Sequence, residues 1–192
     1  MESHASLIGA EVVDFAALLS GRLEVAIGLE TIHPVAMSHL NKRLELERFD
    51  RAAAFLAEHQ IDLRVFVLLG VPHVAAAESV EWTARTVEYA AARGAGRIAI
   101  IPVRGGNGEL ERLQQLGHFV PPTLLELENA LDLCLALLPV RPSARPPVVT
   151  VDLWDVERLP GCNACRGARV ARLLRINVTG VAEPAVSCSV CA

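Results

Sequence analysis

Four cysteines fall in two Cys-x2-Cys pairs near the end of the chain, Cys162 and Cys165 in "GCNACR" and Cys188 and Cys191 in "SCSVCA". Residues 166–187 separate the pairs, a gap of 22. A short Cys-x2-Cys turn aims two thiolates at one ion, and two such turns fill a closed tetrahedral site. The gap is slightly longer than the usual spacing of about 15–20 residues. The same four thiolates would also serve an iron–sulfur cluster. Zinc in a structural role is the expected occupant, because four cysteines leave no open position for catalysis. Cys134 lies inside an apolar stretch and reads as a packed small hydrophobe.

A second group of residues sits where apolar runs end. "IGLETIHP", "LLGVPH" and "IPVRGGNG" each follow a short aliphatic segment. Glycine at such points lets a backbone approach a ligand, and polar atoms beside it can hold one. Glu30 follows a buried run, so its charge needs a partner or a ligand group. Lys42 or Arg43 is the structural alternative for that partner. "RGGNG" could cradle an anion on backbone N–H groups, but it has neither a P-loop nor a dinucleotide spacing. His33 and His73 could reach the same mouth, although no paired-histidine metal spacing occurs. His59 and His118 read as surface or capping residues.

These residues need a frame, and the alternation of patterns supplies one. "RLEVAIGLE", "IDLRVFVLLG", "GRIAIIPV" and "PPVVTVDLWDV" read as strands. "EVVDFAALLSG", "LERFDRAAAFLAEHQ", "AAAESVEWTARTVEYAAARG", "ELERLQQLG" and "PPTLLELENALDLCLALL" read as amphipathic or apolar helices between them. Strands alternating with helices imply βαβ units and a parallel sheet. The second strand is apolar enough to be buried on both faces. The fold class is therefore α/β, an incomplete (β/α) barrel with parallel strands and a small Cys-rich C-terminal tail. Its expected division is residues 1–142 for the barrel and 143–192 for the last strand and the tail. The tail has few large apolar side chains and needs a staple to fold. Its "RGARVARLLR" stretch, with Arg166, Arg169, Arg172 and Arg175, reads as a solvated helix face that could also meet barrel acids or an RNA backbone.

Composition narrows the function. Apolar residues make up 52% of the 192, enough for a sizeable core, and the formal net charge is −4. That balance advertises no nucleic-acid field, and aromatics at 4% offer no base-stacking surface. No signal peptide and no membrane-spanning run is visible, so a cytoplasmic protein with reduced cysteines is expected. "NVT" at Asn177 would then never meet a glycosylating enzyme.

The strand ends resemble a known family. "LEVAIGLET", "LNK", "VFVLLGVP", "IIPVRGGNG" and "GHFVPPTLLELENAL" are similar, in content and order, to the later half of radical SAM enzymes. The likeness covers roughly residues 1–138. It is nearest the methylthiotransferase-like and elongator-type branch, and within it the radical SAM subunit of archaeosine synthase and its bacterial relatives. The resemblance implies a partial (β/α)6 barrel that binds S-adenosylmethionine across its strand ends. It implies cofactor contacts for Glu2 and Ser3 in "ESHAS", for Gly28 and Glu30 in "GLET", and for Gly70 and Pro72 in a Gly-x-Pro turn. Ile101 and Pro102 would lie at the strand end beside the adenine.

The family's hallmark Cys-x3-Cys-x2-Cys loop, which holds its [4Fe–4S] cluster, has no counterpart in the sequence. The expectation is a chain that starts where the barrel is half made, inactive by itself, and partnered by the missing N-terminal half or by a second copy covering the open edge. Radical modification of a substrate, with a tRNA base as one candidate, would need that completion. The other readings are a non-catalytic zinc-stabilised binding module and a small α/β enzyme using Glu30 with a histidine as acid and base.

Overall fold

The computed structural model describes residues 1–40, 46–106, 108–138 and 146–191. Five parallel strands form one sheet in the order in which the chain makes them. They are β1 (Glu2–Ser3), β2 (Glu24–Glu30), β3 (Asp62–Leu69), β4 (Arg97–Pro102) and β5 (Val148–Val151). The connections carry α1 (Ala10–Ala17), α2 (Pro34–His39), α3 (Leu46–Glu58), α4 (Ser79–Ala92), α5 (Glu109–Gln115) and α6 (Leu124–Leu137); α7 (Arg166–Thr179) follows β5. Crossovers between parallel strands are right-handed, and a sequential strand order then puts every crossover helix on the same face. The other face belongs to a barrel interior rather than to a second helical layer.

Burial follows that division. In β3, Leu63, Val65, Val67 and Leu69 are buried, while Arg64, Phe66 and Leu68 alternate with them and are only half-buried. This corrects the expectation of a strand buried on both faces: helices cover only one. The covered core joins Val25, Ile27 and Leu29 of β2 and Ile98 and Ile100 of β4 to Phe49, Leu56, Val87, Leu127 and Leu131 from the helices. The pairing register places Gly28 beside Phe66 and Phe66 beside Ala99, on the barer face. At the foot of that face Glu24 is bridged to Arg64 (2.8 Å) and to Arg97. The carboxyl ends of the strands are thus the open mouth, and the opposite end is tied by charge.

Local chemistry starts and stops the elements. Thr123 caps α6: its hydroxyl accepts from Glu126 N (3.1 Å), and the Glu126 carboxylate accepts from Thr123 N (2.6 Å). That reciprocal box begins the helix directly after Pro121 and Pro122. Helix α1 ends at Ala17, short of Gly21, and leaves Leu18 and Leu19 exposed. The boundary expected at 142/143 and the suggested Glu30 partners Lys42 and Arg43 lie outside the described residues.

Asn177 pins α7 to the sheet. Its side-chain amide donates to Val151 O (2.8 Å), and its carbonyl accepts from Val151 N (2.9 Å). The sequon asparagine is therefore a structural clasp. Asn177→Ala leaves both backbone groups of buried Val151 without these partners and should destabilise the fold by about 1–3 kcal/mol. Chemical denaturation at constant m-value would measure the loss, and an unchanged midpoint would show that the clasp contributes nothing.

Candidate cofactor mouth and metal centre

The open mouth has a hollow of about 450 Å³ lined by Glu2, Ser3, His4, Gly28, Glu30 and Phe66. Four sequence-nominated residues, from two neighbouring strands, meet there. Glu2 and Ser3 pair with Ala26 and Ile27, which brings β1 alongside Gly28. The register slips between Gly28 and Glu30, where β2 bulges against β3. Glu30 then adopts φ +65 at 7% exposure. A left-handed glutamate is held only by surrounding structure, and such strain clusters at functional sites. Thr31, buried beside it, accepts from His33 N through its hydroxyl (3.1 Å).

The other nominated residues lie further round the rim. Gly70 has φ +77, and a Cβ there would meet Pro122 Cδ at 2.6 Å. Its N–H donates to the Ser79 hydroxyl (2.9 Å). Glycine is required at this turn by backbone angle and by the approach of Pro122. Val71 and Pro72 are buried just after it. Ile101 lies half-buried opposite Leu68, and buried Pro102 pairs with Leu69. None of these four is among the lining residues of the hollow.

The histidines and the glycine loop turn inward on the protein itself. His33 Nδ1 accepts from Ala36 N (3.1 Å) and caps α2, with its ring edge-on to Trp82. His39 stacks on His73 at 4.1 Å, and His73 leans on His118 at 5.0 Å. Burial, then the neighbouring rings of His39 and His118, push His73 below the usual imidazole range. His59 Nδ1 meets Phe55 O (2.8 Å) at the end of α3, a capping position. In "RGGNG", the Glu111 carboxylate accepts from Gly106 N (2.6 Å) and Gly108 N (2.7 Å). The loop's anion is thus a carboxylate of the chain. Arg104 beside it donates to Asp152 Oδ2 (2.9 Å) and Asp152 O (3.2 Å), tying the ends of β4 and β5.

The second site is the cysteine group. Cys165 is the N-cap of α7, and Cys162 lies in the turn before it. Residues after α7 return Cys188 and Cys191 to the same spot, so that one sulfur from each of the four lies within 4.8 Å of the others. Cys165 Sγ and Cys191 Sγ are 3.6 Å apart. A tetrahedral ion with bonds of about 2.3 Å holds its sulfurs roughly 3.8 Å apart, so the group fits one ion with little movement. Val190 N donates to Cys188 Sγ (3.4 Å), and this backbone donor with that of Cys191 pushes the Cys188 thiol down to about 6. Cys191, with Cys165 and then Cys188 beside it, is pushed up to about 12. Cys134 stands apart, fully buried in α6 and pushed up to about 12 by that burial.

The basic stretch of α7 is only partly a solvated face, because Arg175 is exposed while Arg169 and Arg172 are not. Arg169 and Arg172 are buried and both bond the carboxylate of Glu128 on α6. Arg172 also reaches Asp132 (2.7 Å) and Pro184 O (2.8 Å), while Arg175 pairs with Glu183 (2.8 Å). Arg169 and Arg172 thus meet the barrel's acids and are buried away from any RNA backbone, whereas Arg166 donates to the carbonyls of Val156, Glu157 and Leu159. A trace of this lies on α6, where Glu128 and Asp132 stand one turn apart among leucines, but that spacing does not name the arginines they meet.

Two solved structures share this architecture. Archaeal Elp3 from Methanocaldococcus infernus, lacking residues 1–46, aligns over 93% of the chain at TM-score 0.66 and 14% identity. Coproporphyrinogen III oxidase (HemN) from Escherichia coli, a radical SAM enzyme, aligns over 70% at TM-score 0.53 and 14% identity. The fold is radical SAM-like. The matched region is 41% of the Elp3 chain and 30% of the HemN chain, so this radical SAM-like barrel spans less than half of either structure. No protein-family model and no curated protein matches the sequence. Among the described residues no helix is long and apolar enough to cross a membrane.

The cysteine geometry makes a direct forecast. Elemental analysis of the purified chain should find one metal ion per chain, and Cys165→Ser should lose it, because a three-thiolate remnant binds far more weakly. Equal metal content in both proteins would remove the four-cysteine assignment.

Proposed function

We propose that this chain forms the S-adenosylmethionine-binding wall of a radical SAM-type barrel and carries a structural zinc centre in its tail. One observation carries the reading: the hollow at the open strand ends, lined by Glu2, Ser3, Gly28, Glu30 and Phe66. It lies at the carboxyl ends of parallel strands, where such folds bind ligands. Gly28 leaves room for a ligand against the sheet, Phe66 offers a ring face, and Glu2, Ser3 and Glu30 supply polar contacts. A cofactor of this size, with an aromatic base, a ribose and a charged amino acid end, needs that mixture.

The [4Fe–4S] cluster of such enzymes supplies the electron for radical modification of a substrate. The sequence holds no Cys-x3-Cys-x2-Cys, so those thiolates would come from residues outside it. A completing segment with βα units and that motif is the proposed partner. Support for it comes from the connection between β1 and β2, where Leu7, Phe15, Leu18 and Leu19 are exposed, and from the barer inner face. Exposed apolar clusters of this kind mark association surfaces. For the tail, zinc is favoured over a cluster by the close sulfurs: one ion draws all four to a single point, whereas a four-iron cluster spreads them to four corners.

Calorimetric titration of S-adenosylmethionine into the chain tests the cofactor wall. One equivalent should bind. Gly28→Leu, which fills the hollow, should weaken binding roughly tenfold or more, as overfilling a packed site by a side chain costs about 1–3 kcal/mol. Absence of binding, or binding indifferent to Gly28→Leu, would overturn the assignment. Anaerobic purification should yield zinc and no iron; four irons per chain would overturn the zinc centre.

A further inference from the structure

Arg169 stands one turn after Cys165 on α7, the spacing at which helical side chains meet. Its Nε donates to Cys165 Sγ (3.1 Å), and its Nη2 lies 4.0 Å from Cys191 Sγ. Its Nη1 donates to Glu128 on α6. One guanidinium therefore touches a sulfur of each cysteine pair and a carboxylate of the barrel. The side chains of Arg169 and Glu128 are 7% and 1% exposed. Burying those ions is costly unless each is fully partnered. Arg172 completes the shell by holding the other Glu128 oxygen (3.0 Å) and Asp132 (2.7 Å).

We propose that Arg169 is a positioning residue of the cysteine centre, coupling metal loading to the docking of the tail on the barrel through Glu128. The proposal rests on the reading of the four cysteines as a metal centre. In the metal-free chain the sulfur is a weak hydrogen-bond acceptor. Four thiolates around a divalent ion carry a net charge of about −2, and the same N–H···S contacts then join a cation to an anionic acceptor. Their gain is greater in the loaded state, so it adds to metal affinity. Glu128 keeps the guanidinium aimed while the centre is empty. By linkage, an ion that binds only this arrangement also stabilises the α6–α7 contact. A lysine could supply the charge but not the fork that reaches two sulfurs and a carboxylate.

The test is cobalt(II) titration of the metal-free full chain, followed by thiolate charge-transfer absorption and a competing chelator. Wild type is compared with Arg169→Met, Arg169→Lys and the double variant Arg169→Met/Glu128→Gln. Arg169→Met should weaken binding about 10–100-fold, as loss of an outer-shell partner does, and Arg169→Lys should recover part of that. The double variant removes Arg169 together with its counter-charge and leaves Arg172 paired with Asp132, so its metal-free melting should fall less than that of Arg169→Met while its cobalt affinity remains low. It keeps the result readable if Arg169→Met alone fails to fold. Cobalt affinity in the double variant equal to wild type overturns the role of Arg169 and leaves the metal centre standing. A wild-type chain that takes no cobalt overturns both.

Discussion

The order of the strands governs nearly everything else in this molecule. Neighbouring strands follow one another in sequence and all run the same way. Right-handed crossovers then pile every connecting helix on one side. One face of the sheet becomes the core, with Val65, Val67, Leu127 and Leu131 fully enclosed. The other face, with Arg64, Phe66 and Leu68, stays only half-buried. The glycines and polar groups at the carboxyl ends of the strands owe their meeting to this arrangement rather than to any motif of their own.

The tail is held by a different kind of contact. Leu173 and Ile176 join the core, and charge and sulfur hold the rest. Glu128 projects from an apolar helix and is met by two arginines from α7. One of those arginines lies against the cysteine sulfurs. Such a buried network is costly if any member is lost, which suits an element meant to sit in one place only. The Asn177 amide fixes the same helix to the end of the sheet by backbone bonds. Three anchors of different chemistry thus converge on α7.

Much of this frame could be read from the sequence, because period-two and period-3.6 patterns report burial directly. The strands at Glu24–Glu30, Asp62–Leu69, Arg97–Pro102 and Val148–Val151 and the helix after Pro122 were visible in that way. So was the meeting of the four cysteines, since Cys-x2-Cys turns need a common target. What stayed hidden were interactions between distant residues. No local pattern says that Arg169 and Arg172 face Glu128 rather than water. Nor does "RGGNG" reveal that Glu111 fills its own loop. The left-handed backbone of Glu30 comes from a slip in strand register, and register is a property of two strands at once.

The two borders of the sheet are not equivalent. At β5 the outward backbone groups of Val151 are already taken by an asparagine side chain. That pairing blunts the border as a template for another strand at this residue. At β1 the border is two residues long. The two borders therefore differ in kind: an asparagine clasp from α7 covers part of one, and a two-residue strand beside the hollow forms the other.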